Sequence, residues 1–306
     1  MLKLNHTIAM LCLGLGIQAC SVNTSESSDV AVKSASTQAT PATYARFVPE
    51  RKDDFAWEND VIAFRAYGPA NRAGAENAGI DCWLKRVDYP IINKWYYQAL
   101  EAEVKLSYHD DHGEGLDNYH VGSSAGCGGT SLWLNGERVG LETYTAYKII
   151  SSTAEKTVFV LTYEHDVAGD HYKEEKQITI ELGKRLFEAQ STFWKNGELA
   201  ANLPITLGVT THDELANVSY DLKQGWLAAW EKLGDSELGT GVKLDPSRII
   251  SQETILSNGV KDKGHALFVA KTDANGQITY HSGYGWKKAG AITSLAQWQQ
   301  YLADFK

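Results

Sequence analysis

Basic residues are in deficit. Lys and Arg number 29 against 38 Asp and Glu, so the 306-residue chain carries a formal net charge of −9. Phosphate backbones are bound by concentrated Lys and Arg, so this balance excludes nucleic acid as the main partner. Helical periodicity is scarce. There is no Gly-x-Gly-x-x-Gly after a strand, no phosphate loop and no internal repeat, which removes the common nucleotide-binding and solenoid folds. No Gly-x-Ser-x-Gly elbow marks a hydrolase serine. No His-Glu-x-x-His marks a zinc protease. Cysteine is sparse, with four in the whole chain.

Two of those cysteines belong to the amino terminus. Lys3 supplies a positive start, and Ile8–Ile17 is an apolar run too short to cross a bilayer as a helix. The segment ends Gln18-Ala19-Cys20, which resembles a bacterial lipobox with Cys20 as the lipidated first residue. Ser21 after it favours the outer membrane, facing periplasm or cell surface; membrane contact is then through the lipid alone. A plain secretory signal would instead give a secreted protein. Residues 21–43 are rich in Ser, Thr, Ala and Val and lack aromatics, so they form a tether. A single folded domain is expected over 44–306. Cys82 and Cys127 remain there. In an oxidising compartment they could pair, or they could be two buried thiols; sequence does not give the distance between them.

Nine Trp and fifteen Tyr provide a large core and rings that can stack on sugar faces. Most of the domain reads as strands: 60–67, 81–87, 144–150, 156–163, 172–182, 186–194, 204–211, 265–271 and 277–281. The 144–150 and 156–163 segments form an antiparallel pair, and Asp273–Gly276 turns the 265–271 strand into the next. Many short strands with turns between them indicate an all-β sandwich or barrel. Ile91–Leu100 is at best a short helical turn. Leu295, Trp298 and Leu302 share one helical face, with Ser294 as cap.

One stretch is unlike the rest. Tyr108 to His120, running on to Gly129, holds His109, His112 and His120 with Asp110, Asp111, Glu114 and Asp117, punctuated by Gly. Such density cannot bury itself as an ordinary strand, because each charge needs a partner. It is therefore a long loop through Gly129, of the kind on which sites are built. Its carboxylates could hold a hard divalent cation, the one cofactor the residue types suggest. Its His and Tyr can supply a base and an acid. Lys94, Tyr96 and Tyr97 form a second polar-aromatic cluster, and His212 follows a strand end.

Asp54–Asp60, Ala63–Pro69, Gly79–Lys85, Tyr108–Gly129, Leu238–Val242 and Gly283–Trp286 together resemble an uncharacterised domain-of-unknown-function family of secreted bacterial proteins. Its members are similar to neighbours of unsaturated uronyl hydrolases and polysaccharide lyases in polysaccharide-utilisation gene clusters. The resemblance implies a large antiparallel β-sandwich like that of galactose mutarotases and lyase accessory domains. It implies a carbohydrate-active protein with an oligosaccharide substrate, a lyase or a non-reducing-end dehydratase. The expected chemistry is β-elimination on a uronic acid. Arg65 or Lys94 would meet the sugar carboxylate, His109 or His112 would be the base and Tyr119 the acid. Tyr96, Tyr97, His120 and His212 would help bind substrate. A glycoside hydrolase using paired loop carboxylates, and a sugar-binding lipoprotein without catalysis, are the alternatives.

Overall fold

The computed structural model describes residues 40–306. Cys20, the signal segment and most of the tether lie outside the described residues. The described chain is all-β in class, built from three antiparallel sheets with two α-helices, α1 (Ile92–Leu100) and α2 (Leu295–Asp304). An amino-terminal sheet of five strands runs in chain order: Tyr44–Val48, Asp54–Glu58, Ala63–Ala66, Asp81–Lys85 and Gly115–Leu116. A nine-stranded sheet has Gln277–Trp286 near its middle, between Ser236–Leu244 and Leu186–Lys195. A second five-stranded sheet has the order Ile249–Ile255, His265–Lys271, Pro204–Thr210, Cys127–Leu134 and Glu137–Gly140.

Alternation explains the long strands. Thr157, Phe159, Leu161 and Tyr163 of Lys156–Val167 are buried on one face, while the residues between them are less so. The amino-terminal sheet differs, because its inner strands are buried on both faces. Phe55, Trp57, Phe64, Cys82 and Leu84 join one apolar core shared by all three sheets. Trp57 meets Phe159 at 5.4 Å and Phe64 meets Phe187 at 5.1 Å, ring centre to ring centre, locking this sheet onto the nine-stranded one. The opposite face holds Ala56, Ala63 and Trp83 under α1, whose Trp95 and Tyr96 pack on Trp83. Asp54, Glu58, Arg65, Asp81 and Lys85 are buried in the same strands, and their charges need partners there.

Three expectations are corrected. The Ile91–Leu100 segment is a nine-residue helix, not a single turn. His265–Lys271 and Gln277–Trp286 are indeed joined at Asp273–Gly276, but they enter different sheets rather than pairing. The His-rich loop ends before Cys127, which opens an eight-residue strand. The pairing of Ala146–Ser152 with Lys156–Val167 and the Ser294-capped carboxyl-terminal helix are as the sequence indicated.

Candidate functional site

The loop that leads from α1 back to the sheets is held in place by one short pairing. Gly115–Leu116 bonds to Leu84–Lys85, and Gly115 has φ +131°, with its Cα so close to the Leu84 carbonyl that a Cβ would lie 1.9 Å from the oxygen. Only Gly fits. Beyond that anchor four successive residues, Asp117 to His120, each reach a different element.

Asp117 turns inward to Arg65. The Arg65 guanidinium is buried and donates from Nη2 to Asp81 at 2.5 Å and to Asp117 at 3.0 Å, with Asp54 3.8 Å from Nη1. Tyr67, Trp83 and Tyr108 lie over it within 6 Å. One guanidinium therefore faces three carboxylates in a dry setting. Burial, reinforced by Asp81, pushes the Asp117 carboxyl well above the usual carboxylate range. Burial also raises Asp54, to about 6, against the pull of Arg65 and Arg51. This arrangement removes Arg65 as a ligand for a sugar carboxylate, because its charge is already over-compensated and enclosed.

Asn118 approaches the turn at Gly234. Tyr119 is buried against the His212 ring, 4.6 Å centre to centre, and its hydroxyl has no hydrogen-bond partner among the described residues. A hydroxyl so enclosed cannot meet the leaving group of a solvent-borne sugar, so the expected acid role of Tyr119 is not supported by its position. His120 places its exposed imidazole 2.7 Å from Asp262, and its carbonyl accepts from His212 Nε2 at 2.6 Å. His212 Nδ1 also donates, to Glu231 at 2.8 Å. Both ring nitrogens face acceptors, which favours the doubly protonated ring. Burial opposes that charge, but the Glu231 carboxylate raises the ring's pKa above its ordinary value. His212, Asp213 and Glu214 all have positive φ (41°, 58° and 74°), a strained run that this pairing helps hold.

The two expected bases sit at the loop surface. His109 Nδ1 is 2.6 Å from the Asp117 carbonyl, which can only accept, so Nδ1 carries the hydrogen and Nε2 is free to take a proton. His112 Nε2 likewise donates to Ser107. Tyr119 is not brought to either of them. Lys94 is bound to Glu114 at 2.7 Å, Tyr96 is buried with its hydroxyl 3.5 Å from Asp54, and Tyr97 is exposed on α1. The cation site is corrected too. Asp111 takes Arg86 and the amides of Gly113 and Gly115; Glu114 takes Lys94, Tyr89 and Trp95; Asp117 takes Arg65; Asp110 is exposed. Among the described residues no three His, Cys, Asp or Glu are grouped to hold a metal ion. Cys82 and Cys127 are adjacent in the core and stand there as buried free thiols, one of the two alternatives the sequence left open.

Next to the loop lies a cavity of about 410 Å³, lined in part by Trp230, Glu231, Lys232, Glu237, Lys287 and Lys288. Trp230 donates to Glu237 at 2.9 Å, and Lys287 and Lys288 pair with Glu237 and Asp235. Lys288 is also 3.6 Å from Asp111, which ties the His109–His112 turn to the cavity wall. Sequence reasoning missed this wall. Its signals were Trp230-Glu231-Lys232 before the Gly234-Asp235 turn, and Lys287-Lys288 directly after the Gly283–Trp286 motif.

The chain is similar to several known proteins. An uncharacterized protein of Formosa agariphila, P7, is 35% identical over 272 residues, 86% of this chain and 66% of its own length. The chain thus spans just under two thirds of that relative. Among solved structures, an α-galactosidase from Geobacillus stearothermophilus, AgaB, has a TM-score of 0.31 at 10% identity, over 79% of this chain and 37% of its own. A polysaccharide lyase has 0.27 at 12% identity, over 86% and 34%. An α-galactosidase from Lactobacillus brevis has 0.33 at 10% identity, over 83% and 42%. Residues 18–306 match the family described as a domain of unknown function, DUF4861, and the chain belongs to that family.

Proposed function

We propose that this protein acts on uronate-bearing oligosaccharides by β-elimination, with the sugar seated in the cavity beside Trp230. The observation that carries the proposal is the set of three ammonium groups, Lys232, Lys287 and Lys288, on one open cavity in a chain of net charge −9. Lys287 and Lys288 are in exposed pairs, which contribute little and can be exchanged for a substrate carboxylate. Lysine charge on that carboxylate makes the C5 proton more acidic and stabilises the anion that forms. The indole of Trp230 offers an apolar edge to the ring. His109, with Nε2 free, takes the C5 proton and hands it to the oxygen leaving C4 as the C4–O bond breaks. The product is an unsaturated sugar.

A second reading is hydrolysis, because Glu231 and Glu237 line the same cavity. One assay separates them. Uronate oligosaccharides are incubated with the protein while ultraviolet absorbance and reducing ends are followed. Elimination gives a conjugated alkene; hydrolysis gives reducing ends without it. Under elimination, Lys287→Ala with Lys288→Ala should raise KM, and His109→Ala should lower kcat by about a hundredfold or more. Reducing ends without absorbance would transfer the cavity to the hydrolytic reading, and neither signal would end both.

A further inference from the structure

The second five-stranded sheet carries on its outer face a guanidinium, that of Arg138, with no counter-charge beside it among the described residues. Ladder register puts Trp133 opposite Arg138 and Ser131 opposite Thr206, and places His265 and Glu253 on the same face through Thr210 and Leu267. The Nε of Arg138 is buried and has no hydrogen-bond partner among the described residues, although part of the side chain is accessible. No carboxylate among them lies within 4 Å of Arg138, whereas Arg65, Arg51, Arg46 and Arg86 all have one. The buried hydroxyls of Ser131 and Thr206 on this face also lack partners among the described residues. A cavity of about 390 Å³ opens here, bounded by Trp133, Arg138, Lys263, Glu137, Glu253 and His265. Desolvation lowers the Arg138 pKa to about 10, which still leaves it charged at neutral pH. An ion in that position is costly unless an anion meets it.

We propose that this face is a second sugar-binding site, which takes the carboxylate of a uronic acid on Arg138 and its ring on Trp133. The planar guanidinium fork matches a carboxylate in two parallel hydrogen bonds. Lys263 adds a second positive group. His265 is not the anion's partner: its Nε2 accepts from the Ala125 amide at 3.0 Å and its Nδ1 donates to the Lys263 carbonyl at 2.7 Å. Glu253 is half-buried, takes Ser251 at 2.9 Å, and has oxygens left for ring hydroxyls; Glu137 is exposed at the rim. Elongated substrates would thus be held at two places, with the reaction confined to the cavity beside Trp230. The choice of a uronate rests on the reading of the cavity beside Trp230, whereas the anion site itself stands on the geometry of Arg138.

The test is made in the Lys287→Ala, Lys288→Ala background, which silences the other cavity. The probe is methyl glucuronide, with methyl glucoside as its uncharged counterpart, titrated against the full chain by saturation-transfer NMR. The glucuronide should bind and the glucoside should bind at least about tenfold more weakly. Adding Arg138→Met, which keeps much of the stem's packing, should weaken glucuronide binding by about tenfold or more. If circular dichroism shows that Arg138→Met does not fold, Trp133→Ala and Lys263→Ala replace it, and each should weaken binding. No glucuronide binding in the background, equal binding of the glucoside, or binding untouched by these variants would overturn the proposal. Loss of elimination in the two-lysine variant with glucuronide binding retained would leave it standing.

Discussion

Two histidines, His265 buried and His212 partly so, respond to pH in opposite directions. His265 is neutral in the fold: burial, with Arg138 nearby, lowers its pKa to about 3. Below an unfolded value near 6.5 the unfolded chain binds a proton that the folded chain refuses. Stability therefore falls as pH drops from about 6.5 toward 3, by up to about 1.4 kcal/mol per unit. His212 is the reverse. Its folded pKa is raised beside Glu231, so its contribution is fully present below the unfolded value and is lost as pH rises through the folded one. Denaturant midpoints at pH 7 and pH 5 read both. His265→Gln, whose amide can donate to Lys263 and accept from Ala125, should flatten the acid loss. His212→Ala should cost about 3–5 kcal/mol at pH 6, because it leaves Glu231 buried without its cation and releases three left-handed residues. A loss under 1 kcal/mol would mean that the pair does not hold that turn.

The helices show where local sequence suffices and where it does not. For α2, Ser294 is beside the first turn and accepts from Gln297, so the start is written in the segment itself. For α1 no local side chain caps the helix. The cap is Glu58, whose carboxylate accepts from the amides of Ile91 and Ile92 at 2.9 Å while holding the buried Lys85 at 2.8 Å. A cap from a distant strand is invisible to a window of neighbouring residues, so the segment looks too poor to make nine helical residues. The strand pairs behave similarly. Alternation marks Lys156–Val167, but nothing local says that His265–Lys271 and Gln277–Trp286 part company after their turn. At the loop, Gly115→Ala should cost about 2 kcal/mol or more, from a forbidden φ and a clash with Leu84. Gly113→Ala pays for φ alone, since nothing lies within 4 Å of its Cβ. Thermal melts of the two variants measure the difference; equal losses would show that the Leu84 contact does not pin the loop.

At the scale of the whole molecule, the class of fold and the location of the loop were legible, because composition and alternation report burial directly. The partners of the loop were not, since Asp262 and Lys288 come from segments more than a hundred residues away and only the three sheets bring them together. Separation in sequence likewise hid the state of the cysteines. Cys82 and Cys127 meet in the core, yet both are thiols. Burial, aided by a hydrogen bond with Cys127, pushes the Cys82 thiol well above its usual range, and Cys127 donates to the Gly283 carbonyl at 3.4 Å. A thiol kept protonated is a poor nucleophile for disulfide exchange. A bridge across the intervening loop would add about 4 kcal/mol, or roughly ten degrees of melting temperature in a domain of this size. The domain should therefore melt at the same temperature with and without reductant. Unreduced protein, unfolded in denaturant, should show the thiols of both residues to a thiol reagent. A melting temperature that falls by several degrees in reductant would show that the two sulfurs are joined in solution and that the core is closed by a covalent bond.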